Sequence, residues 1–172
     1  MISDTEDTLR PMESQDIDRL GEIWLAASLT AHDFVSADFW RSQLETMTRE
    51  LLPRAEGYVH VHGDRIDGFV AVDGDFIHCL FVEPKHQRQG VGTALLSYLK
   101  GSRHTLCLHV YQQNQDAIGF YKSNGFVITG EASCPHTGCA EFEMEWRKQP
   151  DSAHPKMTVD GGLNASIDPS GS

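Results

Sequence analysis

Apolar positions change period along the chain, and each change marks an element. From Ile17, apolar residues recur at Leu20, Ile23, Trp24 and Ala27, the spacing of a helix with one buried face. A second helical stripe, Trp40, Leu44, Met47 and Leu51, is stopped by Pro53. Between them Ser28-Leu29-Thr30-Ala31-His32-Asp33-Phe34 reads as a loop, and His32 and Phe34 belong to neither stripe. A short strand is expected around Thr8-Leu9-Arg10. Tyr58 to His62 passes through Gly63-Asp64 into Ile66 to Val72, a hairpin, and Asp73-Gly74 turns into Phe76 to Val82. That last run is apolar on both faces and therefore central, and Pro84 ends it. A helix over Gly90 to Lys100 and a strand over Thr105 to Tyr111 follow. Next come a helix over Asp116 to Ser123, closed by Asn124-Gly125, and strands over Phe126 to Thr129 and Phe142 to Trp146. The order predicts an α/β fold, with a mixed central sheet of about seven strands flanked by four helices in three layers, α/β/α.

Length and charge narrow this picture. At 172 residues the chain is one domain, expected over 1–147. Residues 148–172 hold 6 apolar residues of 25, with three prolines and three glycines, and read as an appended tail. With 14 Lys+Arg against 25 Asp+Glu the net charge is −11, which argues against a nucleic-acid partner. No apolar run exceeds five residues, so no membrane span is expected. The acidic start, Met1 to Asp7, is unlike a signal peptide, and the expected location is cytoplasmic. Cys79 and Cys107 read as buried hydrophobes. Cys134 and Cys139 flank Pro135-His136-Thr137-Gly138, but no second ligand pair lies nearby, so no metal is expected there. His60 and His62 share one face of a hairpin strand and are left structural, and Trp24 and Trp40 read as core.

The chemistry concentrates in Leu80-Phe81-Val82-Glu83-Pro84-Lys85-His86-Gln87-Arg88-Gln89-Gly90-Val91-Gly92-Thr93. A strand runs into a polar loop, and two glycines open a helix whose first amides point outward unpaired, a site for an anion. Lys85, His86 and Arg88 add positive charge to an acidic chain, which favours a phosphate ligand. No Gly-Lys-Ser/Thr follows, which excludes a Walker loop, and Leu95 stands where the dinucleotide fingerprint needs a small residue.

The spacing Gln87-x-x-Gly90-x-Gly92 instead resembles the pyrophosphate signature of the GNAT superfamily of N-acetyltransferases. Asn114-x-x-Ala117-x-x-Phe120-Tyr121, ending in Gly125-Phe126, resembles that family's other hallmark. The resemblance covers residues 5–147. Thr30 to Phe34 and Val110 to Asn114 resemble a bacterial subgroup discussed as lysine acetyltransferases.

The resemblance implies a GNAT-like fold and an enzyme that moves the acetyl group of acetyl-coenzyme A (acetyl-CoA) directly to a primary amine, first of all a protein lysine. Two alternatives stay open: a small-amine acetyltransferase acting on a polyamine, amino sugar or antibiotic, and a non-catalytic CoA-binding module. Gln87, Arg88, Gln89, Gly90, Val91, Gly92 and Thr93 are expected to cradle the pyrophosphate, and the backbone of Leu80, Phe81 and Val82 to pair with the pantetheine arm. Amides near Phe81 are expected to hold the oxyanion. Asn114 and Tyr121, seven residues apart, would lie about 10.5 Å apart on one helix face, one on the pantetheine amide and one on the thioester sulfur. Tyr121 is expected to be the general acid that protonates the leaving thiolate. His78 occupies the strand position where many relatives carry a Glu base. Strand parity puts it alongside Leu80, and it serves either as general base or as a structural histidine. His32, Phe34 and Tyr111 are expected to line the acceptor site. The partner is the acceptor amine, a homodimer is left open, and no metal is required.

Overall fold

A computed structural model describes residues 6–150, so the tail from residue 151 on and the first five residues lie outside the description. The strands are β1 (Asp7–Pro11), β2 (Glu56–His62), β3 (Arg65–Asp73), β4 (Phe76–Val82), β5 (Thr105–Tyr111), β6 (Val127–Ser133) and β7 (Ala140–Arg147). The helices are α1 (Ile17–Ala31), α2 (Ala37–Thr46), α3 (Val91–Lys100) and α4 (Gln115–Ser123). The seven strands form one sheet in the order β1-β2-β3-β4-β5-β7-β6, which puts the doubly apolar β4 in the middle.

Side chains supply partners for amides at the starts of α2 and α4 and just ahead of α1, but not at the start of α3. The Asp16 carboxylate, held by Arg10 at 2.8 Å, accepts from Glu13 N just before α1. Ser36 Oγ accepts from Phe39 N at the start of α2, and Asn114 Oδ1 accepts from Ala117 N at the start of α4. A π-helical turn over Met47–Leu51 prolongs α2 until Pro53. Helix α1 runs through the stretch expected as a loop, as far as Ala31: Ser28 is fully buried, and Thr30 Oγ1 bonds back to Ala26 O.

Two cores lie on opposite faces of the sheet. Leu95, Leu96, Leu99, Ile118 and Phe126 of the α3–α4 side pack on Val70, Leu106, Leu108 and Met144. Leu20, Ile23, Trp24 and Trp40 of the α1–α2 side pack on Val59, Phe69, Ala71 and Cys79. Cys107 belongs to neither core and is only half-buried, because its face of β5 lies beyond the cover of α1 and α2. A bulge between His60 and Val61 separates the two histidines expected on one face. His60 is buried 2.6 Å from Asp67, and His62 pairs at the surface with Asp7.

The sheet is not continuous at its centre. Strand β4 pairs with β5, in parallel, through Phe76 and Cys107 alone, and beyond that point the two strands part. The gap opens toward Leu80–Val82 on one side and Tyr111 on the other.

Candidate active site

Antiparallel pairing decides which groups of β4 face this gap. Glu83 N donates to Asp67 O, so the mutually bonded pairs run Asp67/Glu83, Phe69/Phe81 and Ala71/Cys79. The peptide groups of Phe81 are therefore spent on β3, while those of Leu80 and Val82 point to the side that β5 has left. The amides near Phe81 that face the gap are thus those of Leu80 and Val82, not Phe81's own. Gln87 Nε2 reaches back to Val82 O at 3.1 Å and ties the following loop to the strand.

A cleft of 730 Å³ occupies the gap, walled by the end of α1, by β4, and by the starts of α3 and α4. Gln87, Arg88 and Gly90 to Thr93 line one end. Arg88 and Gly90 both sit in left-handed backbone, at φ 66° and 89°. Among the described residues the amides from Arg88 to Thr93 have no protein acceptor, the arrangement of an anion nest ahead of a helix start. A Cβ on Gly90 would meet nothing within 4 Å, whereas one on Gly92 would stand 2.9 Å from Phe120 Cζ, so Gly92 lets α4 approach the loop. The expected cationic help is smaller than the sequence implies. Lys85 and His86 turn to Glu83, at 3.7 and 3.5 Å, and Arg88 lies exposed 3.8 Å from Asp116. Backbone amides, more than side-chain charge, make the site.

Glu83 anchors this loop from behind. Its buried carboxylate contacts Arg19 of α1 at 3.0 Å and Arg65 of β3 at 2.9 Å. Burial pushes its pKa up, but the two guanidinium groups outweigh that and hold it below the ordinary value.

Tyr121 faces the cleft from α4 and is 8% exposed, its ring packed edge-on between Phe120 and Phe126. Burial, with the neighbouring Cys79 thiol, raises its pKa far above the ordinary phenol, so it stays protonated. Cys79 is itself pushed up to about 12 by burial, and burial raises Cys107 too, which leaves neither thiol fit to carry an acyl group. Asn114 is the cap of α4 and not part of its face, so the expected helical spacing to Tyr121 does not apply.

At the α1 end of the cleft the structure gathers His32, Phe34 and Tyr111, the three residues expected together at the acceptor site. The His32 ring lies 5.8 Å from Phe34 and 5.0 Å from Tyr111, and Trp40, read only as core, closes the cluster at 5.2 Å. Trp40 Nε1 also donates to His32 O. His32 lines the cleft directly, while Phe34 and Tyr111 stand behind it. Desolvation lowers the His32 pKa from 6.5 to about 4. Tyr111 turns its hydroxyl to Cys134 Sγ, and burial followed by that contact raises its pKa. The hallmark marked Phe120 but not its place under the loop, and the sequence had no signal for Asp33 in the wall, since both contacts depend on the packing of distant elements.

His78 is not brought to this site. The register slips between Ala71 and Val72, leaving His78 as the extra residue of a bulge. The bulge reverses parity, so Ile77 packs with Leu80 and Val82, while Phe76 and His78 stack together and Phe76 meets His109. His78 is exposed on the open sheet face and outside the cleft, in contrast to the position beside Leu80 that uninterrupted alternation requires. Among the described residues no group of three His, Cys, Asp or Glu is placed to hold a metal, and no helix is long and apolar enough to cross a membrane.

Residues 53–128 match the model of the acetyltransferase (GNAT) domain. The chain is 32% identical over 139 residues to the peptidyl-lysine N-acetyltransferase YiaC of Escherichia coli, covering 80% of this chain and 95% of that relative. It superposes on the solution structure of apo YjaB from Escherichia coli with a TM-score of 0.71 at 30% identity, over 82% of this chain and 97% of that one. The PaiA N-acetyltransferase of Thermoplasma acidophilum, solved in complex with coenzyme A, shares the fold with a TM-score of 0.70 at 18% identity, over 83% of this chain and 99% of that one.

Proposed function

The chain belongs to the GNAT acetyltransferases and is an enzyme that transfers an acetyl group to an amine; from that premise we propose that its donor is acetyl-CoA and its acceptor the side-chain amine of a protein lysine. The observation that carries this reading is the run of unpartnered amides from Arg88 to Thr93 at the mouth of a cleft that ends on a protonated tyrosine. These residues fit a pyrophosphate: two left-handed positions turn the amides to one side, and the space before Gly90 is open. The YiaC relative, which acts on peptidyl lysine by its name, supports the acceptor class.

Acetyl-CoA supplies a thioester, an acyl carbon activated toward amines. The free peptide groups of Leu80 and the free amide of Val82 hold the donor's arm in place of the missing β5 pairing, and an amide among them stabilises charge on the carbonyl oxygen. Tyr121 gives its proton to the sulfur as the carbon–sulfur bond breaks and the carbon–nitrogen bond forms. The acceptor nitrogen loses one proton to solvent, from which Tyr121 regains the one it gave, and no acyl-enzyme forms. His32 borders the acceptor side, backed by the rings of Phe34 and Tyr111. With His78 outside the cleft, the acceptor enters as its neutral fraction, which costs about 4–5 kcal/mol at pH 7 for an ordinary lysine. Four free thiols support a cytoplasmic setting.

Mass spectrometry of a mixed pool of lysine peptides, free-N-terminus peptides, polyamines and amino sugars, incubated with protein and acetyl-CoA, tests the acceptor. Acetylation at lysine Nζ is expected. Peptides left untouched while a small amine is acetylated overturn the lysine reading, and an unmodified pool overturns transfer itself.

A further inference from the structure

The transfer reading leaves unused a contact between the two walls of the cleft. Asn114 Oδ1 accepts from Ala117 N at 3.2 Å, which fixes the carboxamide and leaves Nδ2 as the donor facing His32 Nε2, also at 3.2 Å. Nε2 must then be the acceptor, and a neutral ring with a bare Nε2 carries its proton on Nδ1. Nδ1 is buried without a hydrogen-bond partner among the described residues, inside the rings of Phe34, Trp40 and Tyr111. The only bare nitrogen of His32 is thus committed to Asn114, and the ring has none free to take a proton from an amine.

We propose that His32 is a positioning residue, fixed as the neutral Nδ1–H tautomer, which clamps Asn114 and so ties the end of α1 to the start of α4 across the acceptor end of the cleft. The inference rests on the acetyl-transfer reading above. Ala31 and Asp33 flank His32 in one wall, and Gln115 and Asp116 follow Asn114 in the other, so this single bond spans the opening through which an acceptor amine enters. Its loss widens that opening and leaves a half-buried amide donor unpaired. The quantity it governs is the acceptor KM, with the thioester chemistry at Tyr121 left alone.

Two substitutions separate the ring nitrogens. His32→Gln puts an oxygen near the place of Nε2 and keeps the bond to Asn114, whereas His32→Asn puts one near Nδ1 and loses it. Acceptor KM is expected to be about tenfold higher in His32→Asn than in His32→Gln, the worth of one hydrogen bond, with kcat of the two variants equal within about threefold. A fall in kcat shared by both variants marks a base and overturns the proposal. Long-range 1H–15N spectra of the histidine rings, in the protein without substrate, read the tautomer directly. One ring, absent from His32→Gln, is expected with Nδ1 protonated and Nε2 bare. Asn114→Asp replaces the donor by an acceptor and is expected to move the proton of that ring to Nε2. A wild-type ring protonated at Nε2, or a spectrum that Asn114→Asp leaves unchanged, overturns the assignment. If no amine is acetylated by any form, the transfer reading fails, while the spectra still decide the clamp.

Discussion

Replacing Tyr121 by Phe removes one oxygen and nothing else from the cleft. The ring keeps its packing against Phe120 and Phe126, with centroids at 5.2 and 5.4 Å. Burial and the Cys79 thiol, not a hydrogen bond, set the state of the hydroxyl, so its loss orphans no described partner. Stability should therefore change by less than about 0.5 kcal/mol, a melting shift within about 2 °C. The chemical step is different. Loss of a general acid costs about 10²- to 10⁴-fold in rate, or about 2.7–5.4 kcal/mol of barrier at 1.36 kcal/mol per decade. Because burial keeps the phenol protonated, the wild-type rate should show no alkaline fall from this group below about pH 10. Thiol release followed with a chromogenic disulfide gives kcat, and calorimetry gives the acetyl-CoA Kd. The reasoning fails if kcat of Tyr121→Phe stays within threefold of wild type, or if the Kd weakens by as much as kcat falls, since the hydroxyl would then bind the donor and not donate a proton.

Other perturbations read other parts of the structure. Gly90→Ala forces a side chain into backbone at φ 89° and should cost about 1–2 kcal/mol, while its methyl intrudes on the open space beside the loop amides; an unchanged coenzyme A Kd by calorimetry refutes the amide nest. Glu83→Gln leaves Arg19 and Arg65 without their carboxylate and should lower unfolding stability by about 1–2 kcal/mol in urea at pH 7. The folded pKa of Glu83 lies below its ordinary 4.5, so this contribution is present above pH 4.5 and lost as pH falls through the folded value, where variant and wild type should converge. His32 titrates at about 4 in the fold against 6.5 in the unfolded chain, which therefore binds more protons between those values. Its share of stability is intact above pH 6.5 and falls by about 2 kcal/mol between pH 7 and 5 in wild type, a loss that His32→Gln should lack. We propose that residues 148–172 are an appendage to the domain over 1–147; their deletion should move the melting temperature by less than about 1 °C.

What the sequence revealed was local, and what it hid was relational. The stripes Leu20, Ile23, Trp24, Ala27 and the doubly apolar run Phe76–Val82 define a helix and a central strand without reference to anything else, and the structure has both. Gly90 and Gly92 are legible for the same reason, since a left-handed turn and a close approach to Phe120 each admit few residues. The end of α1 was misread because Ser28 and Thr30 look like loop residues until one is buried under α2 and the other bonds back to Ala26.

The parting of β4 from β5 has no signature in either strand taken alone, yet the site depends on it. With full pairing, the peptide groups of Leu80 and Val82 would be satisfied by β5 and no arm could lie there. The bulge at His78 shows how far a single inserted residue can move a chemical assignment. Alternation places His78 beside Leu80 and over the cleft, and the slip between Ala71 and Val72 sends it to the opposite face next to Phe76. The imidazole that does line the cleft is His32, and its bare nitrogen is already engaged by Asn114. Both histidines thus fail as bases for different reasons, one by register and one by hydrogen bonding. The wild-type kcat/KM should accordingly rise tenfold per pH unit with the neutral fraction of the acceptor amine, without a plateau near pH 6.5, and a plateau there would restore an imidazole base to the cleft.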